Sequence, residues 1–392
     1  MKIVHTSDWH AGRFWKGISR NDEHASVLEN LAEFIEREKV DVLLVSGDLF
    51  DNGSPSAEAE RVVFSFFKRV GKSGAQTVVI AGNHDNPHRL NAWGTLAELV
   101  DVHVVELPCA RDKGGVIPLT TRGGETAMVA AIPFAPPGRI VSALELAGDD
   151  TAVKQKYAHF MQRLADNLAG GFGKDTVNLM MAHTHLDGAV FSNTERQVHL
   201  GDDWCATPQI FPTSAHYVAL GHIHNPQAVS TAKAPAYYAG SLMQLDFGEI
   251  SEEKSFVVID AKAGRPARIE RVPYRGALPL VEERRTLLEI ERDAETLRKA
   301  GWLRVVVPLD QPDADVNQRV RKLLPNALVV RTELAHAPLP AEHAPRGGMT
   351  PAEQYRAYYQ LRHKTVPADA LVDAFVDLYR SQEEQSECVP SA

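Results

Sequence analysis

Residues 42–51, VLLVSGDLFD, decide the fold because they join an apolar strand pattern to a polar turn. The run Val42–Val45 has four consecutive apolar residues, which is typical of a strand covered on both faces. Gly47 predicts a turn directly after this strand, and Asp48 and Asp51 place two carboxylates in it. This stretch therefore predicts an α/β sheet with chemistry at the carboxyl end of a strand.

The neighbouring segments repeat the same plan. Strand patterns at residues 2–6 and 77–81 lie on either side of it, and helical patterns at 27–35 and 62–70 separate the three strands. Strands that alternate with helices are typical of a parallel sheet with crossover helices. Each strand ends in a polar cluster, and the carboxyl ends of parallel strands share one edge of a sheet. We therefore expect the three clusters to meet in space.

The composition indicates an ordinary globular protein of two or three domains. The chain has 392 residues, of which 44% are hydrophobic and 24% charged, and this excludes the disordered, collagen-like and disulfide-rich classes. Three cysteines without a CxxC pair indicate neither a disulfide framework nor a thiolate zinc site. The net charge of −9 argues against a protein that coats DNA by bulk positive charge. With no signal-peptide pattern and no long apolar run, we expect a cytoplasmic protein without a membrane segment.

The second part of the chain adds histidines at further strand ends. From about residue 126 to 275, short strand patterns accompany one long helix at about 152–168. One of these strands ends at His183, and another is followed by His222 and His224. These imidazoles therefore follow the ends of strands, as the carboxylates of the first part do.

Five segments are predicted along the chain. They are a main domain at 1–275, a small α+β domain at 276–334, a linker at 335–349, a helical pair at 350–382 and a disordered tail at 383–392. The linker is rich in proline and glycine. Thr350 and Glu353 match a capping box that opens the first helix of the pair. An apolar stripe that includes Leu371 and Phe375 predicts that the second helix docks on a partner, or packs back on the small domain.

The polar residues at the strand ends have the chemistry of metal ligands. They are two carboxylates, one amide and four imidazoles: Asp8, His10, Asp48, Asn83, His183, His222 and His224. Nitrogen and oxygen ligands without a thiolate suit Mn²⁺, Fe²⁺ or Zn²⁺ better than Mg²⁺ alone. Seven ligands are too many for one ion, but two ions that share a carboxylate would use them all. Such a pair, about 3.5–4 Å apart, is the usual arrangement for hydrolysis of phosphate esters.

The order of these motifs resembles the calcineurin-like metallophosphoesterases. That pattern is Asp-x-His, Gly-Asp-x-x-Asp, Gly-Asn-His-Asp, a lone His and Gly-His-x-His. The chain has these motifs at residues 8–10, 47–51, 82–85, 183 and 221–224. Its stretches HTSDWH, GDLFDNGSP and AGNHD are most similar to one branch, the bacterial nuclease subunits of SbcC-type ATPase complexes. The resemblance is strong over residues 1 to about 270 and beyond that rests on domain layout.

The resemblance implies both a fold and a function. The fold would be an α/β two-sheet metallophosphoesterase sandwich flanked by helices, with a small α+β capping domain that binds DNA and a C-terminal helical pair. The function would be that of a metal-dependent DNA nuclease, a 3′→5′ exonuclease on duplex ends and an endonuclease on single strands and hairpins. It would work with an SbcC-type ATPase in DNA repair and recombination, as a homodimer that holds two divalent ions, expected to be Mn²⁺.

The resemblance also implies a role for each site residue. One ion would be held by Asp8, His10, Asp48 and His224, and the other by Asp48, Asn83, His183 and His222. His84 would act beside the scissile phosphate, and Asp51 would either orient His84 or cap the following turn. The lone histidine follows Ala182 where the family usually has glycine, and His185 competes with His183 for its role. We favour His183 because it follows the strand directly.

Basic and aromatic residues near the first motif are candidates for DNA contacts. They are Arg13, Lys16 and Arg20, with Phe14 and Trp15 between them and Arg89 as a further basic candidate. Such side chains beside a metal site would bind a phosphate backbone and stack a base. The alternative is a solvated loop with a packed aromatic residue.

Two other functions are considered. A phosphatase or small-molecule phosphodiesterase would use the same fold, but protein phosphatases of this superfamily typically have arginine after the Gly-Asp-x-x-Asp motif. This chain has Asn52 there, and it extends about 120 residues beyond the catalytic domain. A non-catalytic adaptor for an ATPase is the second alternative, and the complete ligand set argues against it.

Overall fold

The computed structural model describes residues 1–135, 150–192, 194–195, 205–334, 350–363, 365–376 and 378. The chain divides into two compact units. The first comprises Met1–Val307 with Asp315–Arg331, and the second comprises Pro308–Ala314 with Thr332–Ala392. The predicted boundary at residue 275 thus falls inside the first unit. The predicted linker and tail lie outside the described residues.

The first sheet has six strands, of which four run parallel. Its strands are β1 (Lys2–Thr6), β4 (Val42–Val45), β5 (Gln76–Ile80), β6 (Val102–Val105), β13 (Ser255–Lys262) and β14 (Arg265–Pro273). Their order is β14-β13-β1-β4-β5-β6. The strands β1, β4, β5 and β6 are parallel, whereas β13 and β14 are antiparallel to their neighbours. The three parallel strands predicted from the sequence are therefore confirmed and neighbour one another.

Helices cover the outer face of this sheet. They are α1 (Asn21–Glu38), α2 (Ala57–Ser73) and α3 (Pro87–Ala97). The apolar stripes of α1 and α2 are buried against the sheet, as Leu31 and Phe66 illustrate. The side chain of Ser56 caps α2 by accepting a hydrogen bond from the backbone N–H of Ala59, which satisfies one free donor of the first turn.

The second sheet also has six strands. They are β7 (Val116–Thr120), β8 (Thr126–Ile132), β9 (Val177–His183), β10 (Tyr217–Gly221), β11 (Gln227–Ala228) and β12 (Ala236–Tyr238). Their order is β11-β12-β10-β9-β8-β7, with β8, β9, β10 and β12 parallel. The helix α4 (Asp150–Ala169) packs on its outer face through Tyr157, Met161 and Leu168.

The two sheets pack face to face around a shared apolar core. Leu44 and Ile80 from the first sheet belong to the same buried cluster as Val129, Leu179 and Ala219 from the second. With helices outside and another sheet inside, the central strands are buried on both faces. This explains why their sequences are continuous apolar runs rather than alternating patterns. The predicted two-sheet sandwich flanked by helices is therefore confirmed.

A small α+β module follows the sandwich. Its elements are β15 (Leu280–Arg284), α5 (Leu287–Leu297), β16 (Trp302–Leu309), α6 (Val316–Leu323) and β17 (Ala327–Leu334), and the strand order is β15-β16-β17. It contacts a hairpin near the start of the chain, formed by β2 (Phe14–Trp15) and β3 (Ile18–Ser19). Trp15 packs in one cluster with Phe247, Leu280 and Leu328. The module is thus attached to the sandwich by an apolar contact.

The second compact unit contains the predicted C-terminal helices. The helix α7 (Pro351–His363) begins with the expected capping box, in which Thr350 and Glu353 exchange hydrogen bonds. Residues 369–376 are also helical, and the rings of Tyr355 and Phe375 stack 4.4 Å apart between their centroids. The end of the second predicted helix lies outside the described residues. None of the described helices is long and apolar enough to cross a membrane.

Candidate metal centre

The turns after the strands place several candidate ligands in unusual backbone conformations. Asp8, His10, Asp48 and His222 have φ angles of 50, 49, 52 and 101°. Positive φ costs a residue with a Cβ atom about 1–3 kcal/mol, and such strain is concentrated at functional sites. The turn after β1 is hydrogen-bonded to the turn after β4. The main-chain N–H groups of Asp8 and His10 donate to the carbonyls of Gly47 and Asp48, each at 3.0 Å.

Two motif glycines are required by close packing against the ligands. A Cβ atom on Gly82 would lie 2.1 Å from Oδ1 of Asp48, and one on Gly221 would lie 1.9 Å from the carbonyl oxygen of Ser46. A side chain at either position would therefore displace the turn that carries Asp48. This explains why glycine precedes Asn83 and His222 in the two motifs.

Three candidate ligands form a first group. Donor atoms of Asp8, His10 and His224 all lie within 4.8 Å of one another, and all three residues are buried. Nε2 of His10 lies 3.1 Å from Nε2 of His224. The Asp8 carboxylate accepts hydrogen bonds from the N–H of His222 at 3.0 Å and from the hydroxyl of Ser7 at 2.5 Å. Strands of both sheets therefore contribute to this group.

The other four candidate ligands form a second group. Oδ1 of Asn83 lies 2.9 Å from Nε2 of His183 and 2.9 Å from Nδ1 of His222. Oδ2 of Asp48 lies 3.6 Å from Nε2 of His183 and 3.7 Å from Nε2 of His10. Asp48 is thus placed between the two groups, where the resemblance expects a shared ligand.

The protonation of this cluster fits divalent cations. Nδ1 of His183 donates to the carbonyl of Ser46 at 2.7 Å, so its Nε2 presents a lone pair to the cluster. Burial lowers the pKa of His183 and lowers that of His10 to about 4, which keeps both imidazoles neutral near pH 7. Burial and the Asp48 carboxylate also raise the pKa of Asp8 well above its usual range. Neutral imidazoles and crowded carboxylates converge here, and such a donor set is suited to metal ions.

His84 lies at the edge of the cluster with its ring fixed. The main-chain N–H of His84 donates to Oδ1 of Asp48 at 2.8 Å, and its ring Nδ1 donates to the main-chain carbonyl of Asp51 at 2.7 Å. The ring centroid is 4.7 Å from that of His10. Because Nδ1 is used, Nε2 is the atom through which His84 can contact a substrate.

Asp51 orients His84 in a different way from the one expected. Its carboxylate accepts a hydrogen bond from Arg13 at 2.9 Å and lies 3.5 Å from Nδ1 of His10. Among the described contacts, its main-chain carbonyl reaches His84, whereas its carboxylate pairs with Arg13; an orienting role of Asp51 would therefore act through the main chain. The physical reason is charge, since the carboxylate pairs with the nearby guanidinium of Arg13.

The sequence patterns do not predict that Asp85 is a structural part of the site. Its buried carboxylate accepts hydrogen bonds from the N–H groups of Leu49, Phe50 and Gly82 at 3.3, 3.2 and 2.9 Å. It thereby ties the turn after β4 to the turn after β5. The only sequence signal is its place as the last residue of the Gly-Asn-His-Asp motif, which does not reveal that it points inward.

The structure separates the two competing histidines of the lone-histidine segment. His183 is buried within the second ligand group, whereas the ring of His185 lies 4.6 Å from the ring of Phe191. This placement supports His183 as the ligand candidate.

The basic residues expected to contact DNA have different surroundings. Arg13 is held by Asp51 beside the cluster, and Lys16 is exposed in the turn of the β2–β3 hairpin. Arg89 pairs with Glu60 at 2.7 Å and remains partly exposed.

The expectation is wrong for Arg20. This residue is only 1% exposed, because it forms a salt bridge with Glu23 and donates to the carbonyl of Gln244. A buried and paired guanidinium has no surface left for a phosphate.

Comparisons with known proteins show the family to which the chain belongs. The model of the calcineurin-like phosphoesterase family matches residues 1–226. The SbcD component of the SbcCD nuclease of Bacillus subtilis is 28% identical over 391 residues, which cover 98% of this chain and 99% of that protein. The SbcD component from Rhodobacter capsulatus is 30% identical over 81% of this chain and 82% of its own length. The one from Escherichia coli K12 is 28% identical over 82% of each chain.

The family model covers more than half of the chain, and the similarity to the Bacillus subtilis SbcD protein covers 98% of it. The chain is therefore a member of the calcineurin-like phosphoesterase family, in the branch of the SbcD nucleases, and is a hydrolase of phosphodiester bonds.

Proposed function

We propose that this protein is the DNA-cleaving subunit of a complex with an SbcC-type ATPase, active in DNA end processing, repair and recombination. It cleaves duplex ends 3′→5′ and cuts single strands and hairpins. The observation that carries this proposal is the cluster of seven ligands with Asp48 between its two groups and His84 at its edge. The names of the similar nucleases supply the reaction class. We place the activity in the cytoplasm because the similar nucleases come from bacteria, whose chromosome lies in that compartment.

We propose that the metal centre binds two divalent ions, and that these are Mn²⁺. Asp8, His10 and His224 would hold one ion, Asn83, His183 and His222 would hold the other, and Asp48 would be shared. When bound, the ions supply Lewis acidity for the hydrolysis of a phosphodiester. The nitrogen-rich donor set favours Mn²⁺ over Mg²⁺, which prefers oxygen ligands and water.

The chain's own residues orient the substrate and move the proton. His84 holds its Nδ1 proton against the carbonyl of Asp51, so its Nε2 faces the substrate and, when protonated, donates to the leaving oxygen. Arg13 is fixed by Asp51 next to the ligands, where its remaining N–H groups contact a phosphate of the bound strand.

The β2–β3 hairpin provides a contact for DNA bases beside this centre. Trp15 is buried and fixes the hairpin against the module, while Phe14 is 67% exposed next to Arg13. Lys16 lies in the hairpin turn with a φ of 50°. We propose that Phe14 stacks on a base and that Lys16 contacts the backbone, because an exposed aromatic ring between two cationic residues suits single-stranded DNA. The small module extends this surface as a capping domain.

Two protein partners complete the proposal. The C-terminal helices dock on the SbcC-type ATPase, as their exposed apolar residues Leu371 and Leu378 suggest. A second copy of this chain covers the apolar surface at the end of α3 and in the 3-10 turn after it (Glu98–Val100), where Leu96 and Leu99 are 69 and 82% exposed. The Leu99→Lys variant should then show a lower molar mass than the wild type in multi-angle light scattering.

The experiment that tests the function uses the purified full chain with Mn²⁺ and three substrates. They are linear duplex DNA, hairpin DNA and bis-p-nitrophenyl phosphate. We expect cleavage of all three, abolished by EDTA. Turnover of the small diester with no cleavage of either DNA would instead support the small-molecule phosphodiesterase.

A further inference from the structure

Behind His224, the half-buried Thr194 and the buried Glu249 and Lys254 form a chain of polar side chains that the proposed mechanism does not use. Oγ1 of Thr194 lies 2.7 Å from Nδ1 of His224, and the Thr194 hydroxyl donates to the Glu249 carboxylate. Because this hydroxyl proton is committed to Glu249, Oγ1 accepts the Nδ1 proton of His224. Nε2 of His224 is then left as a lone-pair donor that faces His10.

Glu249 is itself fixed in a buried position. Its carboxylate has no exposed surface and accepts hydrogen bonds from the ammonium group of Lys254 at 2.8 Å and the N–H of Leu245 at 2.9 Å. A buried charge pair of this kind costs desolvation energy and is a weak source of stability. Its position next to a ligand suggests that it serves the ligand's geometry.

The same lysine also holds the main chain of the ligand. The ammonium group of Lys254 donates to the carbonyl of His224 at 2.9 Å, and the N–H of His224 donates to Glu195 at 2.9 Å. Both the ring and the backbone of His224 are therefore fixed by the same network.

The segment that carries Glu249 also contacts the α+β module. The side-chain amide of Gln244 donates to the carbonyl of Glu249 at 3.0 Å, and its oxygen accepts the N–H of Leu280 at 2.8 Å. Phe247 packs against Trp15, and the guanidinium of Arg304 lies 4.6 Å from its ring centroid. Glu249 thus lies in a segment that contacts both the module and the metal centre.

We propose that Thr194 and Glu249 are positioning residues that set the affinity of the ion held by His224; this inference rests on the proposed metal centre. Hydrogen-bonded partners behind a metal-binding histidine fix its tautomer and ring orientation, and their loss typically lowers metal affinity about 10–100-fold. The second ligand group differs, since His183 is fixed by the main-chain carbonyl of Ser46. Only the His224 site should therefore respond to changes in this network.

The test is calorimetric titration of the full chain with Mn²⁺ in two variants of one residue. Thr194→Val removes the hydroxyl while keeping the shape of the side chain, and Thr194→Ser keeps the hydroxyl. We expect Thr194→Val to weaken one of two Mn²⁺ sites by about 10–100-fold and to leave the other unchanged. Thr194→Ser should retain both affinities.

A second pair of variants separates positioning from mere stability. Glu249 and Glu252 both bind Lys254, at 2.8 and 2.6 Å, but only Glu249 reaches Thr194. Glu249→Gln should weaken the same Mn²⁺ site, whereas Glu252→Gln should not. Where Glu249→Gln fails to fold, the Thr194 pair decides.

The results that overturn the inference are distinct from those that overturn the proposed function. Wild-type affinities at both sites in Thr194→Val, or equal losses in Glu249→Gln and Glu252→Gln, refute the positioning role alone. A wild-type chain that binds no Mn²⁺ refutes the metal centre and, with it, this inference.

Discussion

The sandwich and the C-terminal helices differ in where their important side chains lie. In the sandwich, the candidate ligands Asp8 and His183 are buried, and their partners belong to the same unit. In the second unit, Val366 and Leu378 are exposed, although Tyr355 stacks on Phe375. The candidate ligands are thus complete within the sandwich, whereas the helices present apolar surface suited to another protein.

The largest effect is expected from loss of the carboxylate between the two ligand groups. Asp48→Ala should abolish cleavage and Mn²⁺ binding, because its carboxylate is near His10 and His183 at once. Calorimetric titration with Mn²⁺ checks this, with Asp260→Ala on the exposed side of β13 as a control that should behave as wild type. Two intact Mn²⁺ sites in Asp48→Ala would contradict the assignment.

A smaller effect is expected from His84, which is not proposed as a ligand. His84→Ala should retain Mn²⁺ and DNA binding but lower kcat by about 10²–10⁴-fold, the range typical of proton transfer by a positioned side chain. Single-turnover cleavage of hairpin DNA measures this loss. The exposed His88 provides the matched control, since His88→Ala should cleave at the wild-type rate. Loss of bound Mn²⁺ in His84→Ala would make His84 a ligand instead.

The third prediction concerns the pH dependence of the sandwich core. Burial lowers the pKa of His5 to about 3, and Nδ1 of His5 contacts the hydroxyl of Tyr217 at 2.8 Å. The unfolded chain binds this proton below pH 6.5 and the folded chain does not, so stability is full above pH 6.5 and falls as the pH drops. The loss is about 1.4 kcal/mol per pH unit for this residue.

Urea unfolding in EDTA between about pH 7.5 and 4.5 measures this slope. The His5→Gln variant lacks the titrating ring, so its free energy of unfolding should depend less on pH than that of the wild type. If the free energy of unfolding depended equally on pH in both proteins, His5 would be charged or exposed in the folded state.

The smallest effect on cleavage is expected from removal of the C-terminal helices. A chain truncated after Gly348 should cleave hairpin DNA with Mn²⁺ at the wild-type rate, because all candidate ligands lie in the sandwich. A pull-down should show that it no longer binds the ATPase. The comparison between the two regions fails if the truncated protein unfolds, or if it retains full affinity for the ATPase.

Much of the sandwich and the ligand set was predictable because local patterns report them. Continuous apolar runs such as Val42–Val45 predict central strands, and the polar residues after them occupy the shared edge. The strand β14 was not predicted, because most of its residues are exposed and its sequence is rich in charge. The helix α3 was missed as well, since it starts at Pro87 in a polar segment and buries only Leu90.

The supporting residues of the site depend on contacts that no local pattern reports. Thr194 and Glu249 reach His224 only when two distant loops fold together. Arginine is usually a surface residue, and the burial of Arg20 follows from its salt bridge with Glu23. Tertiary contacts of this kind lie beyond sequence periodicity.

The order in which the strands lie along the chain has a consequence for how the enzyme is made. The strand β1 pairs with β13, and the Asp8 carboxylate meets the N–H of His222 across 214 positions of sequence. Synthesis proceeds from the N-terminus, so a ribosome has already produced Asp8, His10 and Asp48 long before their partners emerge. A half-made or prematurely ended chain therefore holds only part of the ligand set. The complete set of candidate ligands is therefore available only after translation has passed His224 and the strand β13, which pairs with β1.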